Sequence, residues 1–256
     1  MKLVEMNTED FQSELKGVNT VIIPAGAYEV WGPHLPIGSD TLIAQEIASR
    51  LADRMGWMVG PTLPVGDSTM VWGPGTLTVR PESFKMYLED ICESLVRHGI
   101  KRFCFVSPHV ANLAIISQVA WKLKLERDID CCVFDWWRIV QPVARKLGIL
   151  DHDGVMAHGH ASEAGTSCFM YLRPDLVKQD RLKKVNPGIV NDYPEFQQFV
   201  PFSCYGDDYM LGDATCASAA KGKALVEATL DRMVEFLEQW NPPRDKYKSY
   251  DGGIAQ

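Results

Sequence analysis

The chain has 256 residues, 46% of them hydrophobic and 23% charged, with a formal net charge of −7. That suits one large globular domain spanning residues 1–256, and the acidic balance excludes sequence-independent nucleic-acid binding, which needs a basic surface. No apolar run approaches a membrane span, the N-terminal residues lack a signal-peptide pattern, and seven cysteines without a C-x-x-C pair read as small buried hydrophobes of a reducing, cytoplasmic setting.

Residues 8–15 predict a short helix, and residues 20–25 predict the first strand, carried by the apolar run Val21-Ile22-Ile23-Pro24. A loop rich in glycine and proline follows, Ala27-Tyr28-Glu29-Val30-Trp31-Gly32-Pro33-His34-Leu35-Pro36-Ile37-Gly38-Ser39-Asp40-Thr41. A loop between a strand's carboxyl end and a helix is where open α/β sheets hold their ligands. Residues 40–55 predict a helix, because Ile43, Ile47, Leu51 and Met55 recur at helical spacing with Ala44 and Ala48 beside them. Residues 57–62 read as a second strand. Residues 72–79 read as a glycine-rich loop and a short edge strand; they lack the lysine and the strand-to-helix context of a phosphate loop. Pro81 opens a helix with Phe84, Leu88, Ile91 and Leu95 on one face, stopping at Gly99.

Residues 102–107 form a third apolar strand that runs into Pro108-His109-Val110-Ala111-Asn112 and a helix carrying Leu113, Ile116, Val119 and Leu123. Residues 131–137 read as a fourth strand. Strands alternating with helices predict a parallel sheet with helices on both faces. Residues 151–167 read as a polar loop, and residues around 166–172 as a helix or a strand. Residues 178–213 show little periodicity and many aromatics, the pattern of a lid or an interface arm. A last helix spans about 217–240, and the polar tail after Asn241 is expected to be loose.

Three polar loops follow strands and open on one edge of such a sheet. They carry Glu29, His34 and Asp40; then His109 and Asn112; then His158, His160 and Glu163. Imidazole with carboxylate is the ligand set of a divalent metal such as zinc or manganese. Plainer readings stand beside this one: Asp40 as a helix N-cap, Glu29 as a solvated loop carboxylate, His109 as a structural histidine. A metal there would polarise a carbonyl and activate water, and a nearby histidine would carry protons. No G-x-S-x-G elbow is present, and no cysteine lies beside a histidine in sequence.

These blocks resemble the creatininase (creatinine amidohydrolase) family. Residues Pro24-Ala25-Gly26-Ala27-Tyr28-Glu29-Val30-Trp31-Gly32-Pro33-His34-Leu35-Pro36, with Asp40-Thr41, resemble its P-x-G-S-x-E-Q-H-G-P-H-L-P...D-T signature. Pro74-Gly75-Thr76-Leu77-Thr78, the block around His109, and His160-Ala161-Ser162-Glu163-Ala164-Gly165-Thr166-Ser167 follow in order, with a weaker block at Gly212-Asp213 and Lys221-Gly222. The resemblance implies a three-layer α/β/α fold with a mostly parallel central sheet, assembled as a homo-oligomer, often a hexamer. It implies that Glu29, Asp40 and His109 hold a metal, that Glu163 is a further acidic ligand and catalytic group, and that His160 transfers protons.

Two departures bear on the metal count. Trp31 stands where the family has a ligand histidine, and Ala111 where creatininase has a ligand glutamate. One divalent ion per chain is therefore expected, zinc or manganese with iron as a further candidate; a second would need Glu163 with His34 or His158. Trp31, His34 and Trp72 are expected to contact substrate, with Trp31 equally readable as a buried aromatic. The activity implied is hydrolysis of a small polar cyclic molecule by attack of activated water on a carbonyl. The alternatives are ring opening of a cyclic diketone such as an inosose, and small-molecule binding without turnover.

Overall fold

Four parallel strands form the central sheet of the computed structural model, which describes residues 1–189 and 199–242. They are β1 (Thr20–Pro24), β2 (Met58–Val59), β3 (Arg102–Ser107) and β4 (Asp130–Asp135), in the order β2-β1-β3-β4. Ile22 pairs with Cys104, and Cys104 with Cys132. Side chains alternate across the sheet, so Ile22, Cys104 and Val106 face one layer while Val21, Ile23, Phe103 and Phe105 face the other. Both faces of β1 and β3 are covered, which is why these strands read as continuous apolar runs.

The first layer holds α2 (Ser39–Met55), α5 (Trp136–Leu147), α7 (Glu163–Leu172) and α8 (Ala219–Gln239). The second holds α1 (Thr8–Glu14), α3 (Pro81–Arg97) and α4 (Val110–Arg127). Helices α2 and α5 end on glycines in the left-handed region, Gly56 and Gly148. Helices α7 and α8 touch backbone to backbone at Gly222, where a Cβ would lie 1.8 Å from the Ser167 carbonyl oxygen. Only glycine fits there, which gives the Lys221-Gly222 block its physical meaning.

Several predicted boundaries move. The second strand shrinks to two residues, because Pro61 has no N–H for the ladder. The edge strand at 76–79 reduces to a single antiparallel bridge, Tyr28 to Leu77. The fourth strand ends at Asp135, whose side chain accepts the Arg138 N–H and starts α5 at Trp136. The polar loop contains a short helix, α6 (Gly154–His158), and the segment around 166–172 is helical. Within 178–213 the described residues include an antiparallel pair, β5 (Lys184–Val185) and β6 (Gly212–Asp213); residues 190–198 of that segment, and the tail from 243, lie outside the described residues. Among the described residues no helix is long and apolar enough to cross a membrane.

The order β2-β1-β3-β4 reverses direction between β1 and β3. In an open α/β sheet the crevice beyond the carboxyl ends of those two strands is the expected ligand site. The loop carrying Glu29 leaves β1 at this point, and His109 leaves β3 at the same point.

Candidate metal centre

The loop after β1 is stitched at several points. The Glu29 N–H donates to Ile37 O at 2.8 Å, the Leu77 N–H to Tyr28 O at 2.9 Å, and the Val30 N–H to Thr76 Oγ1 at 3.2 Å. The Thr41 hydroxyl lies 3.0 Å from Ala27 O and 2.7 Å from Pro64 O. Asp40 sits in the first turn of α2, where the helix dipole favours a carboxylate; Gly38, not Asp40, is the N-cap. His109 is the N-cap residue of α4.

Glu29, Asp40 and His109 are all buried, and one ligand atom from each lies within 4.8 Å of the other two. His109 Nδ1 is 3.4 Å from Glu29 Oε2 and 3.4 Å from Asp40 Oδ2. The other ring nitrogen, Nε2, donates to the Asp67 carbonyl at 2.6 Å. That bond assigns the tautomer and turns the Nδ1 lone pair toward the carboxylates, the usual outer-shell arrangement of a metal histidine. Among the described residues, Glu29 Oε2 is buried with no polar partner beyond the His109 contact, and Asp40 Oδ1 is buried with no hydrogen-bond partner. Two buried carboxylates facing one imidazole nitrogen, Glu29 through Oε2 and Asp40 through Oδ2, fit a divalent cation that prefers N and O ligands.

Electrostatics shows what the cation would replace. Burial opposes charge on His109, but hydrogen bonds and charges from Asp40 and Glu29 outweigh it and hold its pKa well above the ordinary value. Burial, with help from the Glu29 charge, pushes Asp40 up to about 6 against the pull of His109. Burial raises Glu29 too, yet the His109 hydrogen bond and the charges of His109 and His160 bring it below its ordinary value. A proton on His109 and a cation compete for the same place between the carboxylates.

His160 stands beside this group. Its Nε2 donates to Val30 O at 2.8 Å, leaving Nδ1 3.8 Å from Glu29 Oε1. The next residue, Ala161, holds φ at 56° in the left-handed region, a conformation that costs an alanine about 1 kcal/mol. Trp31 closes the group from the other side. Its Nε1 donates to Asp40 Oδ2 at 3.3 Å and its ring centroid is 4.7 Å from that of His160. A Cβ on Gly165 would meet the Trp31 ring at 3.1 Å, so the glycine makes room for the indole. Together they border a cavity of about 220 Å³ walled by Trp31, Trp137, Phe202, Met70 and Val71. A larger surface groove of about 1380 Å³ between α5 and α8 contains none of the candidate ligands.

Three sequence-derived positions fall elsewhere. Glu163 does not line this cavity and does not join the ligand group. Its Oε1 accepts from Lys221 Nζ at 2.6 Å and from the Asp151 N–H at 2.9 Å, and its Oε2 from the His152 N–H at 3.3 Å. His34 is fully buried, with Nε2 2.8 Å from Thr166 Oγ1. Burial, then the His160 charge, brings it down to about 4, so it ties the loop to α7 as a neutral ring. Trp72 is 67% exposed outside the cavity. Of the neighbouring tryptophans, Trp137 borders the cavity and Trp136 is buried in the core. Sequence reasoning missed Phe202 and the Asp67 carbonyl, neither of which carries a signal in composition or spacing.

The family model for creatinine amidohydrolase matches residues 4–237. The chain belongs to the creatininase family of hydrolases. It is 26% identical to creatinine amidohydrolase of Pseudomonas putida, covering 93% of this chain and 96% of that protein. It is 24% identical to the mycofactocin precursor peptide peptidase of Mycobacterium ulcerans, over 88% and 87%. Identity to the 3-dehydro-scyllo-inosose hydrolase of Thermotoga maritima is also 24%, over 91% and 81%. The solved structure "Creatininase Mn" superposes with a TM-score of 0.81 at 23% identity, over 94% of this chain and 99% of that one, a likeness in fold.

Proposed function

We propose that the chain is a metal-dependent hydrolase that opens a small cyclic amide. The observation that carries this reading is the convergence of His109 Nδ1 with Glu29 Oε2 and Asp40 Oδ2, three buried side chains at the switch of the sheet. These three residues would hold one zinc or manganese ion, with iron as a further candidate. Trp31 and Ala111, which line the same cavity, bring no metal-ligating atom, which favours one ion at this centre. When bound, such a cation supplies Lewis-acid polarisation of a carbonyl and lowers the pKa of water.

The remaining steps belong to the chain's own residues. His160 accepts a proton at Nδ1, the nitrogen its Val30 hydrogen bond leaves free, and returns it to the leaving nitrogen. Trp31 and Trp137 give a flat ring two aromatic surfaces. The cavity is smaller than the roughly 300–1,000 Å³ common for drug-sized ligands, which favours a compact substrate. Besides the three candidate ligands, His158 and His160 are the polar side chains in its lining, few partners for the several hydroxyls of an inosose, so ring opening of a polyol ranks second. A homo-oligomer belongs to the same proposal and is checked by sizing the purified protein.

The test pairs elemental analysis with a substrate panel of cyclic amides, short peptides and inososes. About one ion per chain lost in Asp40→Ala relative to the native chain, together with loss of hydrolysis, supports the reading. Turnover that survives complete metal removal would overturn it, and metal binding without turnover of any panel member would favour a non-catalytic binder.

A further inference from the structure

A second group of ligand-type side chains lies outside this centre. His152 precedes α6, Asp213 ends β6, and Cys216 ends the helical turn Ala214–Cys216. One ligand atom from each lies within 4.8 Å of the others. His152 Nε2 is 3.1 Å from Asp213 Oδ2 and 3.7 Å from Cys216 Sγ. Tetrahedral zinc with bonds of about 2.0–2.3 Å sets its ligands roughly 3.3–3.7 Å apart. Both measured separations fall close to that span.

A Cys-His-Asp group also invites a nucleophilic reading, but the geometry opposes it. A triad places nucleophile and carboxylate on opposite ring nitrogens. Here both stand on Nε2, so three different atoms converge on one point. The thiol is also held above its ordinary pKa, by burial and then by the Asp213 charge, the reverse of an activated nucleophile.

We infer that His152, Asp213 and Cys216 form a second cation site, taking one thiophilic divalent ion of the zinc class through nitrogen, oxygen and sulfur. Binding forms a metal–thiolate bond and releases the Cys216 proton to solvent. The Asp213 carboxylate is already oriented for ligation. Its Oδ1 accepts the Thr215 N–H at 3.0 Å and the Thr215 hydroxyl at 2.5 Å, which turns Oδ2 toward His152. A water completes the fourth position. Lys184 Nζ, 3.7 Å from Asp213 Oδ2, is the competing cation; it is half exposed and free to turn into water. Lys221 stays committed to Asp151, Glu163 and the Cys216 carbonyl.

The ion would join two segments that frame His160. The Leu211 N–H, just before β6, donates to His160 O at 2.9 Å. Gly212 sits against the carbonyls of Val155 and Met156, where a Cβ would lie 2.7 Å from each oxygen. The site is thus a staple for the platform of His160, separate from the Glu29 centre in ligands and in chemistry.

Cobalt(II) titration of the full chain tests this, because only a sulfur ligand gives the intense near-ultraviolet thiolate-to-cobalt band and the Glu29 centre has no sulfur. The band is expected in the native protein and in Asp40→Ala, and is expected to vanish in Cys216→Ser and in His152→Asn. Thr215→Val is expected to weaken cobalt binding about 10–100-fold while keeping the band at saturation. Absence of the band from the native protein at saturating cobalt, or its persistence in a folded Cys216→Ser variant, overturns the inference. Because Asp40→Ala reads the other centre, failure of either site is seen without the other.

Discussion

Glu29 with Asp40, and Glu163 with Lys221, are two ways of burying a carboxylate at the same edge of one fold. Glu163 is completely buried, yet its oxygens are taken by an ammonium and two backbone N–H groups. Glu29 and Asp40 are about as deeply buried, but among the described residues Asp40 Oδ1 has no hydrogen-bond partner and Glu29 Oε2 none beyond the His109 contact. The first carries its cation within the chain, as Lys221. The second sets only an imidazole, His109, between its carboxylates, at the place a proton and a metal would share. Burial alone does not mark a ligand; unspent lone pairs do.

Removing a ligand is the largest way to test that contrast. In a Cys216→Ser background, Asp40→Ala is expected to reduce bound metal by about one ion per chain and to abolish hydrolysis, whereas Glu163→Gln leaves metal content unchanged, as elemental analysis would read. Loss of metal in Glu163→Gln would erase the distinction. His160→Ala should keep its metal and lose about 10²–10⁴-fold in turnover, measured on the best substrate of the panel. Lys221→Met strands Glu163 as an unpaired buried charge. It is expected to cost about 3–5 kcal/mol in urea denaturation, with most of the loss recovered by adding Glu163→Gln.

His34 sharpens the contrast from a third side, since among the described residues its Nδ1 also has no hydrogen-bond partner. Its folded pKa near 4 lies below the ordinary 6.5, so the neutral ring is favoured in the folded chain. The stabilisation is complete above pH 6.5 and is lost as pH falls toward 4, by about 3 kcal/mol. Denaturation of the native chain and His34→Gln at about pH 7 and about pH 4.5 isolates it: the native chain should lose more on acidification. Gly165→Ala is the mildest change. Helix propensity gains about 1 kcal/mol, crowding of Trp31 costs about 1–3 kcal/mol, and the net loss should stay near 1 kcal/mol in thermal melts while substrate binding weakens.

The parts of this molecule that could be read from its letters are those fixed by local periodicity. Val21, Ile22 and Ile23 announce a strand buried on both sides, and Ile43, Ile47 and Leu51 announce a helix face. The order of the polar blocks brought Glu29, Asp40, His109 and His160 to attention together. Helix α5 was hidden by its first two residues, Trp136 and Trp137, which extend the strand pattern, and by Pro142 inside it, although Trp136, Val140 and Ala144 share one buried face. Glu163 misled because a sequence does not reveal whether a lysine 58 positions away lies within hydrogen-bond reach. The same blindness concealed His152, Asp213 and Cys216, which meet only once β6 has folded against α6.

Trp31 makes the centre visible to light. Its indole N–H ends on Asp40, and its ring stands beside His160. Excited indole is quenched by a neighbouring imidazolium, and its emission colour follows the electric field along the ring. A charge arriving at Asp40 and a proton arriving on His160 would each alter the glow of this residue. Subtracting the emission of Trp31→Phe from that of the native chain would isolate that signal, an optical record of the site filling and emptying that needs no added dye.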